Sequence, residues 1–128
     1  MLQLSQSRVT TILPVKDLDR ARTFYESRLG FSAAKPKPDG AWVYDLPNFS
    51  VALMPREGGT KAEHTALSFE VKDIVDGIRT LEAAGVVFED YDFPGLKTVQ
   101  HVCDMGGEKC AWFRDTEGNF LCLHQPAA

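Results

Sequence analysis

The chain has no run of basic residues, no regular cysteine framework and no apolar stretch near the ~18–20 residues that cross a bilayer. Its 14 Lys and Arg are scattered among 18 Asp and Glu, for a net charge of −4 and a pI near 5.3. A surface of that kind does not track a phosphate backbone, so no nucleic-acid partner is expected. The missing span argues against a membrane partner. The N-terminus lacks the apolar core of a secretory signal, which places the expected protein in the cytoplasm. The cysteines, Cys103, Cys110 and Cys122, are odd in number and fit reduced thiols.

What is present is an ordinary globular composition, 44% hydrophobic, 25% charged and 10% aromatic over 128 residues. That is enough to bury a core without disulfides or metal clips. The chain also repeats itself. "VKDLDRARTFYESRLG" begins at Val15 and "VKDIVDGIRTLEAAG" at Val71, each after a short alternating apolar stretch and each ending in glycine. Val9–Val15 alternates as a strand, with Val9, Leu13 and Val15 on one face and Thr10 and Ile12 on the other. Asp17 is placed to cap a helix from Leu18 to Leu29, with Leu18, Ala21, Phe24, Tyr25 and Leu29 on one stripe. Gly30 supplies the C-cap. Three strands are predicted next, "FSAAK", "AWVYDL" and "FSVALM".

The second half follows the same plan. The strand "HTALSFEV" leads to a helix capped by Asp73 and closed by Gly85. The strand "VVFEDYD" and a closing hairpin "KCAWFRD"–"FLCLHQ" complete it. The prediction is an α+β fold of two tandem βαβββ modules whose mixed sheets curve around a shared cleft. It forms a single domain, 1–128, with module one at about 8–56, a linker at about 55–63 and module two at about 64–126. Residues 93–108 stand out as a loop inserted into module two only, placed to border the cleft. The second apolar sheet faces are expected to be buried against each other or against a second copy of the chain, so a homodimer is expected.

The two repeated phrases and "DTEGNFLCL" from Asp115 resemble the vicinal oxygen chelate superfamily, which comprises glyoxalase I, bleomycin resistance proteins and extradiol dioxygenases. Thr116 stands where the family's D-P-x-G-N hairpin usually has proline. The resemblance covers nearly the whole chain and implies the paired-module fold. It does not settle a function, because this fold hosts isomerases, lyases, dioxygenases, transferases and binding proteins.

The resemblance also implies where metal-using members hold a divalent ion: one ligand early and one late in each module, usually His or Gln and then Glu. Counting from the repeats, those positions are Thr10, Ala52, Ala66 and Cys122. Two methyl groups and a hydroxyl do not hold a metal, so the usual site reads as lost and no cofactor is expected. His64 and His124, two residues from Ala66 and Cys122, leave open a displaced metal site or metal-free acid–base chemistry. His64, His124, Glu70 and Cys122 are then the catalytic candidates. "HVCDMGGEKC" offers His101, Cys103 and Cys110, but its spacing matches no familiar zinc pattern.

Strand parity gives the expected ligand-binding lining: Arg8, Thr10, Ala52, Met54, His64, Ala66, Ser68, Phe120, Cys122 and His124, with His101 from the inserted loop. Trp42, Tyr44 and Trp112 are added as stacking surfaces whose facing parity does not decide. Such a lining suits a small aromatic or hydrophobic organic ligand. Sequestration of that ligand is the leading reading. A glyoxalase- or dioxygenase-type lyase, isomerase or oxygenase is the alternative.

Overall fold

A computed structural model describes residues 2–128; Met1, the first residue of the expected domain, lies outside them. Module one opens with β1 (Val9–Val15), then α1 (Leu18–Thr23), β2 (Lys35–Pro36), β3 (Trp42–Asp45) and β4 (Phe49–Pro55). Its sheet has the order β1-β4-β3-β2, with β1 parallel to β4 in unbroken register and the other pairs antiparallel. Module two has β5 (Thr65–Glu70), α2 (Ile74–Ala83), a small hairpin of β6 (Asp92–Phe93) and β7 (Leu96–Lys97), then β8 (Cys103–Met105), β9 (Glu108–Arg114) and β10 (Phe120–Gln125). Its sheet order, β5-β10-β9-β8, repeats that of module one.

The helices start as the caps predict. Asp17 accepts the Arg20 N–H at 3.0 Å and Asp73 accepts the Asp76 N–H at 3.1 Å. α1 is shorter than predicted because its last turn widens. Phe24–Arg28 is a π-helical turn in which the Leu29 N–H reaches back to the Phe24 carbonyl. Gly85 ends α2 at φ 94°, and the Arg28 guanidinium donates to its carbonyl at 2.7 Å. A Cβ there would meet only the movable end of the Arg28 side chain, so it is the backbone conformation that calls for glycine.

Each helix lies on one face of its own sheet, and the two helix-side faces merge into one core. Leu13, Val15, Val51 and Leu53 enter it from module one, and Leu67, Phe113, Leu121 and Leu123 from module two. Phe31 meets Phe69 edge-on at 6.1 Å across the junction. Fully burying a side chain of this size stabilises by about 2 kcal/mol. The "DTEGN" turn ties the modules together. Asp115, buried, accepts the Tyr25 O–H at 2.6 Å and the Asn119 Nδ2–H at 2.9 Å, while Asn119 also donates to the Pro14 carbonyl. Glu117 accepts the Lys16 and Asp17 N–H groups and the Arg20 guanidinium.

Three expectations change. The helix-free sheet faces are not packed against each other within the chain: Ile12 is 61% exposed, and Thr10, Ser68 and Glu70 are exposed too. Of the stretch "FSAAK" only Lys35 is in a strand, as the first residue of β2, which pairs Lys35–Pro36 with Val43 and Trp42. "VVFEDYD" is not a full strand. Only Phe88 bridges Phe113, after which Thr98 holds the Tyr91 backbone and pulls the chain off the sheet. The matching strand slot is filled from within residues 93–108, by β8.

Candidate functional site

The helix-free faces are where the two modules differ. Across module two, Ser68, Cys122 and Trp112 form one cross-strand row, and Glu70, His124 and Cys110 the next. The Trp112 indole donates to Thr65 Oγ1 at 3.2 Å, which fixes the ring. Tyr91 meets it edge-on at 5.8 Å, and Phe93 meets Tyr91 in the same way. Phe120, on β10, lies 5.3 Å beneath the Arg114 guanidinium, which is itself paired with Glu89. An aromatic strip thus runs from the β6–β7 hairpin to β10. Tyr91, Phe93 and Arg114 were missed by parity counting, although Tyr91 and Phe93 carry the period-two signal of a strand face.

Beside the strip, Ser68 Oγ and His124 Nδ1 are 2.6 Å apart, with the hydroxyl donating when Nδ1 carries no proton. His124 Nε2 faces Glu70 Oε1 at 3.8 Å. Cys122 is 3% exposed and its thiol donates to the Leu123 carbonyl. Burial pushes the Cys122 thiol up, and burial followed by the nearby Cys122 pushes Cys110 to about 11. Both stay protonated at neutral pH, so Cys122 offers no thiolate nucleophile.

The remaining expected residues are dispersed. Thr10 is exposed on β1, Ala52 is buried on β4 beside Ile12, and Met54 is half-buried. Arg8 is occupied at the β3–β4 turn, donating to the Leu46 and Phe49 carbonyls and to Ser50 Oγ. Trp42 and Tyr44 are turned to the helix side, because they stand opposite Leu53 and Val51. There Arg22 covers the Trp42 ring at 4.0 Å, and the Tyr44 hydroxyl donates to Glu26 at 2.8 Å. Ala66 is the extra residue of a bulge, since Phe120 faces Thr65 but Leu121 faces Leu67. The bulge breaks the parity that linked His64 to Ser68, and His64 stands exposed ahead of β5. His101 is not on this face but in the turn that follows β7, between Glu82 of α2 and Asp90.

The residues at the positions of a family-type metal site do not fit a divalent ion. Ala52 and Ala66 have no donor atom, and the Cys122 thiol is committed to a carbonyl. Among the described residues, no three His, Cys, Asp or Glu side chains converge as a metal would require.

The paired four-stranded sheets, each crossed by one helix, are matched in known proteins. The profile of the Glyoxalase/Bleomycin resistance protein/Dioxygenase superfamily covers residues 7–123. The chain belongs to this superfamily. No curated protein sequence matches it. Among solved structures it is similar to TnmS3, an antibiotic binding protein from Streptomyces sp. CB03234, at 22% identity and TM-score 0.68, covering 98% of this chain and 100% of that one. A superfamily member from Sphaerobacter thermophilus DSM 20745 shares 24% identity at TM-score 0.67, over 94% and 97% of the two chains. The fosfomycin resistance protein FosX from Listeria monocytogenes shares 15% at TM-score 0.67, over 99% and 96%. At these identities the likeness to the solved structures speaks for the fold alone.

Proposed function

We propose that this superfamily member is a cytoplasmic, homodimeric binding protein. It takes a small aromatic or hydrophobic molecule into the cleft formed by its helix-free faces, with the ligand lying against Trp112. The aromatic strip Phe93–Tyr91–Trp112 carries this reading, because a row of edge-packed rings can hold planar apolar molecules without any reacting group. The antibiotic-binding and antibiotic-resistance neighbours support a sequestering role, and the donor-poor metal positions favour binding over metal chemistry. A large cationic ligand fits less well, since Arg114 sits over Phe120 at one end of the strip. Exposed Ile12, on the helix-free face of module one, provides apolar surface that a second copy would cover.

The test uses the two tryptophans. In Trp42→Phe, Trp112 is the only indole. Titration with neutral naphthalene derivatives should quench its fluorescence saturably. A flat titration across the series would remove the proposal.

One observation favours a second reading: the Ser68–His124–Glu70 chain places an imidazole base on the same face. Turnover that disappears in His124→Ala while binding survives would make the protein a metal-free acid–base enzyme.

A further inference from the structure

Residues 93–108 do not lie only along the aromatic strip. Beyond β7 the chain crosses to the α2 side and makes a two-residue hairpin turn. Val99 and Val102 exchange backbone hydrogen bonds of 2.8 and 3.1 Å there. The two central residues are Gln100 at φ 51° and His101 at φ 73°. Tight turns of this hand favour Asn-Gly, and two consecutive non-glycine residues in the left-handed region are costly. Backbone strain of this kind persists where the surroundings hold it, and it gathers at binding sites.

What holds the turn is α2. Between them is a groove of about 460 Å³. Ile74, Ile78 and Val102 give it an apolar floor, and Arg79, His101 and Lys109 stand around it. Among the described residues neither Arg79 nor Lys109 makes an ion pair, whereas the groove's carboxylate, Glu82, faces His101 Nε2 at 3.4 Å. His101 is held between two carboxylates, with Nδ1 2.9 Å from Asp90 Oδ2 and Nε2 3.4 Å from Glu82 Oε2. Val75 and Val99, 54% and 66% exposed, extend the apolar surface at the mouth.

We infer that this groove is a second binding site, separate from the aromatic strip, for a small amphiphilic anion: an aliphatic or aryl body on the Ile74–Ile78–Val102 floor and a carboxylate between Arg79 and Lys109. A neutral molecule of the same shape gains the floor but leaves Arg79 and Lys109 without a counter-charge. Module one has no equivalent, because its β2 follows α1 without an intervening turn of this kind.

The test is a titration of the full chain with sodium octanoate, followed by amide chemical shifts, with 1-octanol as the neutral control. Octanoate should shift the amides of residues 74–82 and 99–102 and of Lys109 saturably, and octanol should bind about ten-fold more weakly or less. The double variant R79Q/K109Q should weaken octanoate by about ten-fold with an unchanged far-UV spectrum, while Trp112→Ala should leave it unaffected. Octanol binding as tightly as octanoate, full retention in R79Q/K109Q, or saturable shifts only around Trp112 and Phe120 would each overturn the assignment.

Discussion

Val43 of module one stands where Trp112 stands in module two, Ala52 where Cys122 does, Met54 where His124 does, and Ile12 where Ser68 does. On the other side of the same strands the modules agree: Val51 and Leu53 answer Leu121 and Leu123, and Tyr44 answers Phe113. A duplicated unit whose buried half is held constant by packing is free to diverge on the half that packing does not use. Here the divergence is one-sided. Module one's open face is small and aliphatic, while module two gained rings, a bonded Ser–His pair and the turn at Gln100–His101. On the proposed reading, module two supplies the rings and polar groups on its side of the cleft, and module one a small aliphatic surface on the other.

The strongest way to break the comparison is to cut the tie between the modules. Asp115→Ala leaves the Tyr25 hydroxyl, the Asn119 amide and two backbone N–H groups without their buried acceptor. We expect a loss of about 3–5 kcal/mol in urea unfolding. A loss below about 1 kcal/mol would mean that the Asp115 network contributes little to holding the modules together.

Glu117 gives the next effect. Burial opposes its charge, yet hydrogen bonds from Arg20 and from the Asp17 N–H bring its carboxyl down to about 2. A folded value below the unfolded one, about 4.3, adds stability above that unfolded value. This contribution is lost as pH falls from about 4.3 through about 2. Glu117→Gln should cost about 2 kcal/mol at pH 7 and flatten the acid limb of the stability profile. An unchanged acid limb would assign that limb to other carboxylates.

Trp112→Ala should weaken an aromatic probe about ten-fold, whereas Val43→Ala, its counterpart, should change affinity less than about two-fold. Equal effects would return the ligand to the space shared by both modules. The smallest effect is expected for His124→Ala, under about two-fold in affinity, because the Ser68–His124 bond lies beside the strip.

Much of the fold could be read from residue order. The repeat at Val15 and Val71, the caps at Asp17 and Asp73 and the glycines at 30 and 85 depend on spacing within one helix or strand, and local geometry acts on neighbours in the chain. Face assignment along β1 and β10 held because a strand alternates, with Leu13 and Val15 buried and Thr10 and Ile12 open. The site was less legible. Counting back from Val71 ran into the Ala66 bulge, which costs one residue of register and is invisible without the partner strand. Arg8 looked like a rim cation, yet it is used up on carbonyls that the β3–β4 turn brings to it.

The sequence by itself determined the duplicated βαβββ plan, the helix starts, most core-facing residues and the poverty of metal donors at Thr10, Ala52, Ala66 and Cys122. Only the tertiary structure decided that Trp42 and Tyr44 turn inward while Trp112 turns outward, that Tyr91 and Phe93 join Trp112, and that residues 93–108 run along both faces of module two. The physical reason is range. Periodicity and capping act over a few residues of chain, whereas which ring meets which depends on strand register and on contacts between residues as far apart as Tyr25 and Asp115.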